Sequence, residues 1–231
     1  LWKSLLPIIP VFIITLKKGP ESMHKEKILL IGGGGHCKSC IDVIECEGKY
    51  EIAGIIDVES KVGQKVLGYP IIGTDDDIEK LLSITKNVLL TMGQIKSPIL
   101  RQQTINKLKP FSVNFPVIIS PRAYVSRHSS IGPGTIVLHH ATINAGATIN
   151  SFCIINTNAI VEHDCLVHDF CHISTGAIIN GNVTLGAGSF VGSQAVIKEG
   201  ITIHENSIIS AGIFIKDNIP ANSIIKSKTS Y

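Results

Sequence analysis

The stretch ATINAGATINSFCIINTNAIVEHDCLVHDFCHISTGAIINGNVTLG, residues 141–186, decides how this chain folds. Its large aliphatic residues recur at every sixth position: Ile143, Ile149, Ile155, Val161, Val167, Ile173, Ile179 and Leu185. Working outward, the same step runs back through Val137, Ile131 and Val125 to Ile119, and forward through Val191, Ile197, Ile203 and Ile209 to Ile215, without an insertion. Four residues after each aliphatic comes mostly a small side chain, among them Ala141, Ala147, Cys153, Ala159, Cys165, Cys171 and Ala177. A fixed six-residue period predicts a parallel β-helix, in which each repeat supplies one short strand and one turn and three repeats complete a triangular coil. The aliphatic residue fills the interior and the small residue packs beside it. Gly146, Gly176, Asn144, Asn156 and Asn180 suit the turns, where left-handed backbone is often required.

Alternation along a strand turns the residue before each inward aliphatic outward. Sorted by coil, these residues form three columns: Ile136, Ile154, His172, Phe190 and Ile208; Thr142, Ile160, Ile178, Val196 and Phe214; and Thr148, Leu166, Thr184 and Thr202. Two columns are apolar and one is largely polar. Apolar columns of that extent mark an interface, and a homotrimer in which each prism is wedged between two others is the expected solution.

The remaining composition narrows the classes. Of 231 residues, 44% are hydrophobic and 17% charged, enough to bury a sizeable core and against disorder. The formal net charge of +3, with no dense Lys/Arg run, excludes an electrostatic track for nucleic acid. Three of the six cysteines, Cys153, Cys165 and Cys171, fall on the small packing position, so reduced structural thiols are expected rather than disulfides. Cys37 and Cys40 form a C-x-x-C with no second pair, which reads as packing rather than zinc binding. The apolar run Leu5–Leu16 is too short to span a bilayer and is broken by Pro7 and Pro10. A cytoplasmic protein without membrane contact is expected, with residues 1–22 an upstream extension ahead of Met23.

Residues 23–112 have a different pattern, alternating strands with helices. Lys27–Ile31 is a buried-strand run, Gly32–Gly35 a glycine-rich turn, and Cys37–Glu47 a helix. A second strand, Ile52–Ile56, ends at Asp57; Asp76–Leu82 and Ile99–Leu108 read as helices around a third strand at Val88–Thr91. This is a small Rossmann-like, doubly wound parallel sheet. The overall class is therefore α/β plus all-β, with the second domain at residues 113–231. A glycine-rich loop opening a helix presents backbone amides to phosphate, and an acid at the end of the second strand accepts bonds from a ribose or base. Lys38 stands where a dinucleotide fingerprint wants its third glycine, so the pattern points away from NAD. The competing reading of the glycines is a tight strand-to-helix turn with no ligand.

The ordered combination of IGGGGH (31–36), IIDVE (55–59) and NTNAIVEHDCLVHDFCHISTGAIINGNV (156–183) resembles the bacterial sialic acid O-acetyltransferase family. That family also contains the N-acetyltransferases of nucleotide-linked 4-amino-4,6-dideoxy sugars. The match runs from about Lys27 to Pro220. The resemblance implies a left-handed coil, and acetyl-CoA as co-substrate, bound in a groove between trimer neighbours. It implies that Gly34, Gly35, His36, Asp57, Val58 and Gly93 hold the nucleotide sugar. His163 corresponds to the catalytic base and Asp164 to the acid that raises its basicity. His172, Gly181, Ser193, Ala211 and Gly212 correspond to acetyl-CoA contacts. Two departures stand out: Ala211 replaces a common glycine, and the chain finishes with Ile219-Pro-Ala-Asn-Ser-Ile-Ile-Lys-Ser-Lys-Thr-Ser-Tyr where relatives carry Gly-x-Pro-Ala.

The chemistry is coherent with these residues. Acetyl transfer from a thioester needs an acceptor stripped of a proton, the common task of a histidine, and direct attack needs no protein nucleophile, so Cys165 is not required. His163 also occupies an outward turn position flanked one coil away by Ala145 and Gly181, which leaves a hollow beside the imidazole. N-acetylation of a nucleotide-linked amino sugar and O-acetylation of a sialic acid share nearly all these residues. A γ-carbonic-anhydrase-like reading would instead draw zinc ligands from His163, His168 and His172, with His139 or His140. A non-catalytic nucleotide-sugar-binding or assembly protein is a further alternative. No residue is assigned to a metal.

Overall fold

The computed structural model describes residues 25–226. The proposed extension, the apolar run Leu5–Leu16 and the last five residues lie outside the described residues.

The first domain runs β1 (Glu26–Ile31), α1 (Gly35–Glu47), β2 (Tyr50–Ile56), β3 (Lys65–Val66), β4 (Tyr69–Gly73), α2 (Ile78–Leu81), β5 (Val88–Leu90) and α3 (Ile99–Leu108). The sheet order is β3-β4-β2-β1-β5, parallel except for the β3–β4 hairpin. That hairpin is absent from the pattern reading. Its two-residue turn is Leu67-Gly68, with φ of 48° and 90°, and a leucine in the first of two left-handed positions does not announce a turn the way Asn-Gly does. The reading of Asp76–Leu82 as one helix is also corrected. Thr74 caps a short 3₁₀ turn, its hydroxyl accepting from Asp76 N–H at 3.3 Å while Asp77 accepts from Thr74 N–H at 2.9 Å, and α2 follows.

Alternation along β1 sends Ile28 and Leu30 to one side of the sheet, against Cys37, Cys40, Ile41 and Ile44 of α1. Leu29 and Ile31 face the other side, against Leu81, Leu82, Ile105 and Leu108.

The second domain is a left-handed parallel β-helix whose strands are two residues long, from Ile118–Ile119 to Ile224–Ile225. Its three sheets carry the three outward columns as sorted from the sequence. Val137, Ile143, Ile149 and their successors fill the coil, and Cys153, Cys165 and Cys171 point inward beside them. The eighteen-residue coil holds to Ile215; after that a corner is shortened, and Ile219 and Ile225 pair with Ile203 and Ile209 sixteen residues back.

One expectation needs correction. One of the two apolar columns is covered by the chain's own first domain over its lower part, up to His172, while Phe190 and Ile208 above are half-buried and Ile224 is exposed. Ile118, Ile136 and Ile154 are fully buried in one cluster with Cys37, Cys40 and Ile41 of α1. On the neighbouring corner, Phe152 and Phe170 stack at 5.0 Å and join the α2–α3 side of the domain. The column Thr142, Ile160, Ile178, Val196 has no such cover and ends in Tyr124 and Phe214, 60% and 61% exposed. No helix among the described residues is long and apolar enough to cross a membrane.

Candidate active site

Docking the first domain on the coil forms an open cavity of about 1630 Å³. The carboxyl ends of β1, β2 and β5 form one wall and a corner of the β-helix forms the other. Gly34, Gly35, His36, Asp57, Val58 and Gly93 all line it, so the six residues assigned to the nucleotide sugar converge. Gly34 and Gly35 are exposed, have no neighbour within 4 Å of a would-be Cβ, and open α1 with no side chain capping it. The helix N-terminus thus presents backbone N–H groups and a positive dipole end to the cavity, the arrangement that receives phosphate. Gly33 is different: a Cβ there would sit 2.9 Å from Asp57 Oδ2.

Asp57 is mainly an organiser of this loop. It accepts from Gly33 N–H at 2.6 Å, Val58 N–H at 2.7 Å and Lys61 Nζ at 2.8 Å. Burial works to raise its carboxyl, but the bonds from Lys61, Val58 and Gly33 outweigh it and hold the group below the usual carboxylate range. Lys61 escaped the sequence reading; its signal was the i, i+4 spacing from Asp57.

At the cavity floor stand two neutral histidines. His172 directs Nδ1–H at the Gln94 carbonyl, which leaves Nε2 to accept from Asn156 Nδ2 at 3.2 Å. Burial pushes its pKa down to about 4. His36, with ring centroid 6.4 Å away, is pushed to about 3 by burial, with His172 and Arg101 adding to the effect; its Nε2 is buried without a partner. Both ring nitrogens of His172 are committed inside its own chain, so it is not free to ligate zinc as the carbonic-anhydrase reading requires. Gln94 carried no sequence signal, since it acts through contacts across the domain boundary, whereas Asn156 read only as a turn residue and its partner His172 stands one coil away in the same domain.

His163 and Asp164 lie elsewhere, on the corner that follows the uncovered column. Asp164 adopts the left-handed conformation, φ 60°, which folds its carboxylate back so that Oδ2 lies 2.9 Å from His163 Nδ1. A carboxylate only accepts, so the imidazole proton sits on Nδ1 and Nε2 keeps its lone pair. Both groups rest on glycines. A Cβ on Gly181 would approach His163 Nε2 to 2.6 Å, and one on Gly146 would approach Asp164 Oδ1 to 2.3 Å. The hollow expected beside the imidazole is therefore the seat of the ring itself. The side chains are 64% and 67% exposed, beside a smaller cavity of about 450 Å³ lined by Gly181 and Gly200.

Within one chain, then, the cavity and the His163–Asp164 pair flank opposite edges of the uncovered apolar column. The residues assigned to acetyl-CoA divide in the same way. His172 and Ser193 are in the cavity wall, Gly181 is under His163, and Ala211 and Gly212 are exposed on the cavity's corner. Thr157, Thr175, Ser193 and Ala211 follow one another up that corner at one per coil, giving a polar to small track leading away from the cavity.

Residues 27–108 match the family described as the PglD N-terminal domain. No curated protein sequence matches the chain. Among solved structures, the acetyltransferase domain of PglB from Neisseria gonorrhoeae FA1090 is 30% identical with a TM-score of 0.78, covering 87% of this chain and 96% of its own. That domain has also been solved in complex with acetyl coenzyme A. A histidine-to-asparagine variant of perosamine N-acetyltransferase from Caulobacter crescentus, in complex with CoA and GDP-perosamine, is 30% identical with a TM-score of 0.81, covering 86% and 92%. WeeI from Acinetobacter baumannii AYE, 19% identical with a TM-score of 0.77, shares the fold. A Rossmann-like domain docked on a coil of hexapeptide repeats, matched over nearly the whole length of these acetyltransferases, defines an acetyltransferase of the hexapeptide-repeat class. Within that class the chain belongs to the nucleotide-sugar N-acetyltransferase family.

Proposed function

We propose that the chain transfers an acetyl group from acetyl-CoA to the amine of a nucleotide-linked amino sugar, with His163 as general base, in cytoplasmic surface-glycan or glycoprotein-sugar biosynthesis. The observation that carries this reading is the His163–Asp164 pair, 2.9 Å apart, with both side chains exposed and both groups seated on glycines. The amine nitrogen attacks the thioester carbonyl while Nε2 takes its proton; the tetrahedral intermediate then collapses and CoA thiolate leaves. Asp164 stabilises the imidazolium as it forms. The cavity at the α1 N-terminus supports a pyrophosphate-linked substrate over a free sialic acid, because the exposed amides of Gly34 and Gly35 suit phosphate.

In this reading the protein works as a homotrimer. A neighbour packed on the uncovered column would bring its His163 corner to this chain's cavity, and the sugar's amine would meet the thioester between them. In a thiol-release assay with purified protein, UDP-, GDP- and dTDP-linked amino sugars are offered beside free sialic acids. Acetyl-CoA-dependent turnover of at least one nucleotide-linked amine is expected, and turnover of sialic acids alone would overturn the assignment.

A further inference from the structure

Asp42 and Cys46 stand one turn apart on α1, and His139 reaches the same point from the corner that follows the strand Ile136–Val137 of the β-helix. Their ligand atoms all lie within 4.8 Å of one another. We propose that Asp42, Cys46 and His139 bind a single zinc ion that clamps α1 to the β-helix.

The donor set argues for the metal. One imidazole nitrogen, one thiolate and one carboxylate are a typical zinc complement, whereas magnesium and calcium take oxygen donors almost exclusively. Three protein ligands leave the fourth tetrahedral position to water. Cys46 is the one exposed cysteine of the six, so its thiol is accessible where the others are buried in packing positions. A tetrahedral zinc site separates its ligand atoms by about 3.3–3.7 Å. His139 Nε2 and Asp42 Oδ2, now hydrogen-bonded at 2.7 Å, must part by somewhat less than 1 Å to admit the ion, on the order of one torsional adjustment. The Asp42 side chain is 59% exposed and free to turn, while that of His139 is only 17% exposed and held.

What holds His139 is the second feature of a metal site. Its Nδ1 lies 2.6 Å from Ser120 Oγ, which also accepts Arg122 N–H at 3.0 Å. Without metal, Nε2–H donates to the Asp42 carboxylate and the Ser120 hydroxyl donates to Nδ1. With zinc on Nε2, the ring proton moves to Nδ1 and the hydroxyl rotates to accept it, the usual outer support of a ligating histidine. The Cys46 thiol gives its proton to solvent as the thiolate binds. No ligand of this site lines the cavity or touches His163, so the proposal stands apart from the acetyl-transfer reading.

The test is titration of the reduced, chelator-washed full-length protein with Zn²⁺, followed by Co²⁺ as a spectroscopic probe. One ion per chain is expected, with cobalt developing a thiolate charge-transfer band. Cys46→Ser should abolish that band, and Cys46→Ser, Asp42→Asn and His139→Gln should each weaken zinc by at least about tenfold. Ser120→Ala should weaken it with the three ligands intact. His163→Ala should bind zinc as the wild type does, and circular dichroism of Cys46→Ser should match the wild type because the position is exposed. Absence of stoichiometric binding in the wild type would overturn the proposal, as would zinc retained undiminished by folded Cys46→Ser and Asp42→Asn.

Discussion

His163 depends on what its neighbours lack. Its ring lies where a Cβ on Gly181 would come to 2.6 Å, so Gly181→Ala must displace the imidazole while leaving the coil intact. Turnover is expected to fall at least about tenfold with little change in thermal midpoint, the scale of a misplaced base. His163→Ala should lower kcat by roughly two to four orders of magnitude, the usual range for a lost general base. Cys165→Ser is the informative contrast. The Cys165 thiol points into the coil, donates to the Asn180 carbonyl at 3.0 Å, and is raised above its ordinary pKa by burial. It therefore serves packing, and the serine variant should keep turnover in the folded fraction; loss of activity in intact Cys165→Ser with activity retained in His163→Ala would require an acetyl-cysteine route. The hexapeptide period put His163 on an outward turn and small residues beside it. It could not put Asp164 against Nδ1, because that depends on a left-handed φ at a non-glycine residue, nor reveal Gly146 as the seat of the carboxylate.

The element that joins the two domains is α1, and its docking buries histidines in the neutral state. His36 and His172 titrate near 3 and 4 in the folded chain, against about 6.5 when unfolded. Between those values the unfolded chain holds more protons, so stability rises with pH across the window. The contribution is complete above about pH 6.5 and is lost as pH falls toward 4, at up to about 1.4 kcal/mol per pH unit for each histidine. Urea midpoints measured at pH 7.5 and pH 5 should therefore differ clearly in the wild type, and His172→Gln should shrink the difference. Equal midpoints at the two pH values would contradict the burial. The strands of the coil were legible because their period is strict. The burial of His172 was not, because it is made by the first domain folding over the column Ile118, Ile136, Ile154, a contact between segments that no local pattern encodes. The β3–β4 hairpin was missed for a local reason, its Leu-Gly turn.

At the scale of the molecule, the uncovered column Thr142, Ile160, Ile178 and Val196 lies between the cavity on one edge and His163 on the other. A charge placed there must be desolvated in any assembly across that face, so Ile178→Asp should shift sedimentation toward the monomer and suppress turnover, while Thr184→Asp on the polar column should not. Two apolar columns suggested a trimer from sequence; the lower part of one is covered within the chain, so the proposed trimer would rest mainly on the other. In the proposed trimer the base and the sugar pocket of one working site come from different chains. Gly34→Asp supplies the pocket lesion: it gives α1 a good cap while placing a carboxylate on the amides meant for phosphate, so the chain should fold and fail to bind substrate. Gly34→Asp and His163→Ala, each nearly inactive alone, should on co-expression in equal amounts recover about a quarter of wild-type turnover, because random closed assembly pairs an intact pocket with a neighbour's intact histidine at that frequency. A co-expressed mixture that assembles but remains as inactive as its parents would contradict the shared site.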